Sequence, residues 1–242
     1  MVASYPRTLT IIRHAQSAGN VANDAALLAG LPELDLALRD MDVALSELGE
    51  TQASALGAWF AGLEAPPAVV LCSPYKRAVD TAAIAMKAAG TAAPVRHDER
   101  LREREFGVLD RLTKVGIEAR FPEQAAARAF LGKFFHRPPG GESWADVAAR
   151  VRGLLTDLRL DYADRDVVIV THQAVIMLFR YVLDELTEAE LLELDAHEQI
   201  ANTAVTTYRL ADDQLRLAEF NNTAHLPAEE TTAASDKSVA PR

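Results

Sequence analysis

Three short apolar runs constrain this chain more than anything else in it: residues 8–12 (TLTII), 68–72 (AVVLC) and 166–171 (DVVIVT). Each is rich in Val, Ile or Leu and too short for a buried helix, so each reads as a strand covered on both faces. Between them the apolar period changes to that of a helix. Leu56, Trp59, Phe60 and Leu63 fall at i, i+3, i+4 and i+7. Trp144, Val147, Ala148, Val151, Leu155 and Leu158 form a longer stripe, with Ser143 placed to cap it. Ser73-Pro74 has the cap-then-first-turn arrangement and opens a helix that Gly90 ends. Strands alternating with helices predict a three-layer α/β/α fold with a mostly parallel central sheet. Near the end, residues 203–210 and 214–220 flank Ala211-Asp212-Asp213 and predict a hairpin at the sheet edge.

One domain accounts for this pattern. No internal repeat is visible, and 242 residues that are 49% hydrophobic suffice for one sizeable core. The expected domain covers residues 1–226, and the apolar-poor stretch 227–242 (PAEETTAASDKSVAPR) is expected to be a disordered tail. A net charge of −10 argues against broad binding to nucleic acid or anionic membranes. No run approaches the roughly 18 apolar residues of a membrane span. No targeting segment is evident, so a cytoplasmic protein is expected. Cys72 is the single cysteine, which excludes an intrachain disulfide, and its apolar neighbours mark it as a buried small hydrophobe rather than a nucleophile. The sequence leaves the oligomeric state open, a homo-oligomer included.

In open α/β sheets ligands bind beyond the carboxyl ends of the strands. Here those ends carry Arg13-His14, Ser73-Pro74-Tyr75-Lys76-Arg77 and Thr171-His172-Gln173. Singly, each piece is weak: an Arg-His pair arises by chance, His172 alone fits a structural histidine, and Arg77 alone fits a helix-surface charge. Two histidines and two arginines at three strand ends together indicate a site.

These same segments resemble the histidine phosphatase superfamily, the group that includes the phosphoglycerate mutases. RHAQSAGN (13–20) is similar to its RHG-type signature and SPYKRAVDTA (73–82) to its second-arginine motif. LREREFG (101–107) is similar to the segment with the acidic residue, and PPGGES (138–143) and VTHQ (170–173) follow in family order. Asn202 in IANTAV matches more loosely. The resemblance covers residues 8–220 and implies a phosphatase of small phosphomonoesters working through a phosphohistidine on His14. It further implies catalytic roles for His14, Glu103 and His172 and phosphate binding by Arg13, Asn20, Arg77 and Gln173, with Gln16 and Ser17 as substrate contacts. Two departures stand out. Ala15 replaces the usual glycine, and residues 21–44 (VANDAALLAGLPELDLALRDMDVA) form a longer stretch than compact members have, placed to cover the pocket.

The chemistry is consistent with these residues. A phosphoryl group spreads charge over its equatorial oxygens, and catalysis is mostly positioning and charge stabilisation. Arg13 and Arg77 offer planar forks of donors, and His172 adds a donor if protonated. His14 must attack as neutral imidazole; nearby arginines keep it so, and a hydrogen bond from its other nitrogen to a backbone carbonyl would fix the tautomer. His14 is expected at a solvent-facing strand end. Glu103 is the expected proton donor, with Glu105 its rival, and Asn20 could donate from the first helical turn.

Arg96, Arg100, Arg102, Arg104, Arg111 and Lys114 are interleaved with Glu and read as solvated surface. Arg137, bordering PPGGES, is the candidate to touch a second anionic group. The six histidines show no metal-ligand spacing and there is no GxxxxGK[ST] loop, so neither metal nor cofactor is expected. Competing readings are a phosphoglycerate-type mutase, whose signature carries a tryptophan where this chain has Gly19, and a catalytically inactive phosphate-binding module.

Overall fold

The three apolar runs become three neighbouring parallel strands. The computed structural model describes residues 4–233. In chain order the elements are β1 (Thr8–Arg13), α1 (Ala18–Ala29), α2 (Glu47–Ala61), β2 (Val69–Cys72), α3 (Lys76–Ala89), β3 (Val95–His97), α4 (Lys114–Arg120), α5 (Pro122–Phe135), α6 (Trp144–Asp161), β4 (Asp166–Thr171), α7 (Gln173–Leu183), α8 (Glu188–His197), β5 (Val205–Ala211) and β6 (Gln214–Asn222). The sheet order is β3-β2-β4-β1-β5-β6. The first four strands of that order are mutually parallel, while β5 runs antiparallel to β1, and β6 to β5, closing the sheet with an edge hairpin.

Strand alternation sorts the core into two layers. Leu9, Ile11, Val69, Leu71, Val167 and Ile169 face α6 and α7, packing with Trp144, Val151, Ile176 and Phe179. Ile12, Val70, Cys72, Val168 and Val170 face α2 and α3, packing with Leu56, Phe60, Ala78 and Ala82. Helices on both faces make three layers. Cys72 is fully buried, and burial pushes its thiol up to about 12, far from a reactive thiolate.

Register then decides what meets at the strand ends. Arg13 lies opposite Thr171, and Cys72 opposite Val170. His14, His172 and Ser73 therefore leave the sheet side by side. The ladder continues one step further, with the His14 amide donating to the Thr171 carbonyl (2.8 Å) and the Ser73 amide to the Val170 carbonyl (3.0 Å).

Some local expectations shift. Helix α3 begins at Lys76 with Tyr75 as N-cap, so Ser73 is not the cap; its hydroxyl accepts from the Tyr75 amide (3.2 Å). Leu63 lies past the end of α2. The short edge strand β3 has no sequence counterpart among the apolar runs, because its three residues are all exposed. Of the stretch 227–242, expected to be a disordered tail, residues 227–233 are described and fold back. Ala228–Glu230 forms a 3-10 turn, and Thr232 hydrogen-bonds Gln52 and Asn202. Polar contacts, not apolar burial, hold it, which is why composition points elsewhere; residues 234–242 lie outside the described residues. Among the described residues no helix is long and apolar enough to cross a membrane.

Candidate active site

His14 is the centre of the cluster at the strand ends. It is only 3% exposed, so the expected solvent-facing position is corrected: the ring is enclosed by its neighbours. Its Nδ1 lies 2.7 Å from the Ala15 carbonyl, which fixes the proton on Nδ1 and leaves the lone pair on Nε2. Arg77 Nε donates to that Nε2 at 3.3 Å. Burial first, then the charges of Arg77 and Arg13, push the imidazole well below the ordinary histidine range, so the ring is neutral.

The loop after His14 is held from several directions. The Ala15 amide donates to Thr81 Oγ1 (3.0 Å), whose hydroxyl donates to the Arg77 carbonyl (2.6 Å), coupling nucleophile loop to arginine helix. Asn202 Nδ2 donates to the His14 carbonyl (3.0 Å). The Gln16 amide donates to Gln52 Oε1 (2.9 Å). Thr232 hydroxyl bridges both supports, 2.9 Å from Gln52 Nε2 and 2.9 Å from Asn202 Oδ1. Helix α2 starts close against this loop: a Cβ at Gly49 would stand 1.9 Å from the Gln16 carbonyl oxygen, so only glycine fits. Ala15 itself has no positive φ, so alanine replaces glycine there without backbone strain.

Three helices, α1, α3 and α7, begin at the site, directing backbone N–H groups toward it. None has an acidic residue in its first turn. Helices α2, α5, α6 and α8 carry Glu47, Glu123, Asp146 and Glu188 there.

The cleft outside His14 is lined by Arg13, Ser17, Asn20, Arg77, Glu103 and Gln173 among others. Arg13, 4% exposed, donates to the Ile200 carbonyl. Ser17 caps α1, and its hydroxyl and amide both donate to Asn20 Oδ1, which leaves the Asn20 amide nitrogen as the group a phosphate could use. Glu103 is 8% exposed and lines the cleft, while Glu105 lines a small neighbouring recess with Asp40, Tyr75 and Asp110.

His172 stands 5.0 Å from His14 between ring centroids. It is fully buried and its Nε2 pairs with Ser73 Oγ (2.8 Å). Burial, then Arg77 and His14, drive its pKa well down. Burial thus disfavours the protonated form that a second donor role for His172 would require. Tyr75 packs edge-on against it at 5.2 Å.

Two expected contacts are not brought to the cleft. Gln16 Oε1 accepts from Ser46 (2.7 Å) and its side chain does not line the cleft. Arg137 is exposed and locked on Asp146, Nε to Oδ2 at 2.7 Å, so it meets an anion supplied by its own helix cap and not one in the cleft.

Sequence reasoning offered Ser73 only as a helix cap and did not single out Asp40 or Thr81. Thr81 sits four residues after Arg77 on α3, a spacing that places both on one helix face. Asp40 had no such signal. Its carboxylate meets Arg77 at 3.0 Å (Oδ1 to Nη1) and 3.1 Å (Oδ2 to Nη2), and its carbonyl accepts from Nη1 at 2.6 Å. Residues 31–43 thus do cover the pocket, contributing Leu34, Leu36, Leu38 and Asp40 to its wall. Among the described residues no group of three or more His, Cys, Asp or Glu is arranged to hold a metal.

Comparison with known proteins fits this geometry. The family model of the histidine phosphatase superfamily (branch 1) matches residues 9–223. The chain is 32% identical over 203 residues to a 6-phosphofructo-2-kinase/fructose-2,6-bisphosphatase of Caenorhabditis elegans, covering 82% of this chain but 39% of that longer protein. It is 33% identical to a 2,3-bisphosphoglycerate-dependent phosphoglycerate mutase of Methylobacterium radiotolerans, over 86% of this chain and 91% of the mutase. A glucosyl-3-phosphoglycerate phosphatase of Mycobacterium tuberculosis is 35% identical over 70% of this chain and 72% of its own. A solved structure of the mycobacterial glucosyl-3-phosphoglycerate phosphatase superposes with a TM-score of 0.70 at 31% identity, covering 90% of this chain and 99% of that one.

Proposed function

The chain belongs to the histidine phosphatase superfamily, branch 1, and on that premise we propose that it is a phosphatase hydrolysing a small-molecule phosphomonoester through a phosphohistidine on His14. The observation that carries this reading is the state of His14: neutral, tautomer fixed by the Ala15 carbonyl, with the Nε2 lone pair facing Arg77 at the cleft.

In the first step His14 Nε2 attacks phosphorus. The bond to the ester oxygen breaks, and that oxygen leaves with a proton from Glu103. In the second step water attacks the phosphohistidine, Glu103 takes its proton, and phosphate leaves with His14 restored. Arg13, Arg77, Asn20 and Gln173, together with the three helix N-termini, stabilise the equatorial oxygens. His172 serves as a neutral partner packed beside the nucleophile. Ser17 holds Asn20 in place. No metal or cofactor enters this scheme, and residues 1–226 act as one catalytic domain, with residues 227–233 folded back against it. The acidic surface suits a cytoplasmic enzyme without nucleic-acid or membrane partners.

The test is a phosphate-release assay over small monoesters in EDTA, with rapid quench on radiolabelled substrate. The expected results are acid-labile, base-stable label on the wild type, and turnover lowered by several orders of magnitude in His14→Asn. Asparagine is chosen because His14 is buried and a smaller residue would leave a cavity. Undiminished turnover in that variant would sink the mechanism. The mutase relative keeps transfer to a second hydroxyl as the alternative, which the same assay detects as an isomerised ester in place of free phosphate.

A further inference from the structure

We propose that the alcohol half of the substrate is uncharged and largely apolar, with no second anionic group, because the wall facing the phosphate site is built of leucines and carboxylates. This rests on the phosphatase reading above and narrows it. Beyond Arg13, His14 and Arg77, the ester group would meet two rims of the cleft. Residues 31–43 contribute Leu34, Leu36 and Leu38, and the opposite rim contributes Phe106, Leu109 and Leu112. Six apolar side chains therefore face an otherwise polar cradle.

Leu109 and Leu112 belong to a small buried cluster, but the leucines of residues 31–43 are not spilled core. Leu38 is 54% exposed and Leu34 and Leu36 are partly exposed, so apolar surface is held at the mouth of a cleft where a solvated segment would ordinarily be polar. The two rims are tied together to present it. The Leu34 amide donates to the Arg111 carbonyl (2.9 Å), and Glu33 bridges to Leu112. The Thr113 hydroxyl donates to the Leu31 carbonyl (2.6 Å).

The charges point the same way. Among the described residues lining the cleft, the arginine outside the cradle is Arg111, and its Nη1 donates to the Leu36 carbonyl (2.8 Å), fastening the wall. Arg102 and Arg137 are bound to Glu142 and Asp146. Facing the leaving group are Asp40 and Asp110, and the recess beside them adds Glu105 and one cation, Arg39, so carboxylates outnumber it three to one. Burial, then Asp40 and Glu105, raise the Asp110 pKa in spite of Arg111. Such a neighbourhood already resists negative charge. A carboxylate or second phosphate on the substrate would meet three carboxylates against the single exposed guanidinium of Arg39 in the recess, whereas an alkyl or aryl group would bury surface against the leucines.

The experiment compares kcat/KM for isohexyl phosphate and the phosphate ester of γ-hydroxybutyrate, whose carboxylate takes the place of the branched end, and follows a series of straight alkyl phosphates. The expected results are at least a tenfold preference for isohexyl phosphate and a gain of about threefold for each carbon that enters the cleft. Leu38→Lys, at an exposed position that tolerates the change, should narrow or reverse the preference. Equal rates, or a preference for the carboxylate ester, would overturn the substrate class and leave the phosphatase reading standing. Phosphate release from no monoester, with no labelled histidine, would remove the phosphatase reading and this inference with it.

Discussion

The phosphate cradle and the wall facing it are built by opposite means. The cradle hangs from the ends of β1, β2 and β4, the most buried strands of the sheet, and Arg13, His14, Arg77 and His172 are each 5% exposed or less. Strand register alone brings His14, Ser73 and His172 together. The wall comes from residues 31–43 and 106–113, which hold almost no regular structure. It rests on a small separate cluster of Leu109, Leu112 and Ile117 and on loop-to-loop hydrogen bonds. Helix α4 packs close beneath it: a Cβ at Gly116 would stand 1.8 Å from the Pro32 carbonyl oxygen. A rigid sheet suits a step whose rate depends on sub-ångström placement. A loop wall tied to it at few points can change residue by residue without disturbing the chemistry. The division predicts that cradle substitutions lower kcat and wall substitutions change which ester is used and how tightly.

The largest effect expected in breaking that division is at Glu103, where the two regions meet. An alkyl phosphate expels a basic alkoxide that needs a proton in the transition state, while nitrophenyl phosphate expels a stable phenolate that needs little help. General acid catalysis contributes roughly 10²–10⁴-fold. Glu103→Gln is expected to slow alkyl ester cleavage within that range and to spare nitrophenyl cleavage. Glu105→Gln, which lines the neighbouring recess, is the control. Leaving-group-dependent loss at Glu105 in place of Glu103 would move the acid to the other residue. Equal losses for both ester types would make Glu103 a positioning residue.

Arg77 tests the cradle alone. Loss of one preorganised donor to a developing oxyanion costs about 10²–10³-fold in kcat, and Arg77→Gln is expected to lose that much. The pH profile carries a second signature. His14 attacks when neutral, so the rate falls as pH drops through its pKa. Burial, then Arg77 and Arg13, hold that pKa well below the usual value, and the wild-type acid limb from His14 is therefore expected below about pH 6.5. Removing Arg77 should move the limb upward, toward neutral pH, with the substrate's own ionisation identical in both profiles. A limb that stays in place would show that the arginine does not tune the nucleophile.

The same division explains what the sequence disclosed. Strands β1, β2 and β4 are dense runs of Val, Ile and Leu, and the chemistry follows the apolar runs within one to five residues, so the sequence alone places Arg13, His14, Arg77 and His172 at one edge. Long-range pairing also decides protonation, and there sequence falls short. Full burial of His172 against Ser73 and Tyr75 disfavours its protonated form, and the VTHQ motif does not reveal that burial. Arg137 borders the right motif but is captured by Asp146, nine residues away on a helix whose cap also claims that carboxylate. Thr232 lies in a segment with the composition of a tail, yet it ties Gln52 to Asn202 behind the nucleophile. In residues 21–44 the apolar spacing shows α1 poorly, and nothing local reveals that Asp40 reaches Arg77.

Asp40 gives the smallest effect and the sharpest view of how the two regions communicate. Its carboxylate occupies the Arg77 Nη groups that face the cleft, at 3.0 and 3.1 Å, so an arriving phosphate must compete with it. The Asp40 side chain is 34% exposed, and a pair of that exposure is worth about 1 kcal/mol or less, roughly a fivefold factor in binding. Asp40→Asn keeps the backbone carbonyl contact to Arg77 and removes only the charge. The expected outcome is a KM lowered about two- to fivefold with kcat nearly unchanged, read in the same assay with an uncharged ester. Anionic esters should gain more than neutral ones, since they also lose a repulsion. A raised KM would mean the opposite: that the wall aspartate holds Arg77 in its working orientation and the phosphate binds without displacing it, making Asp40 part of the cradle by function though it belongs to the wall by structure.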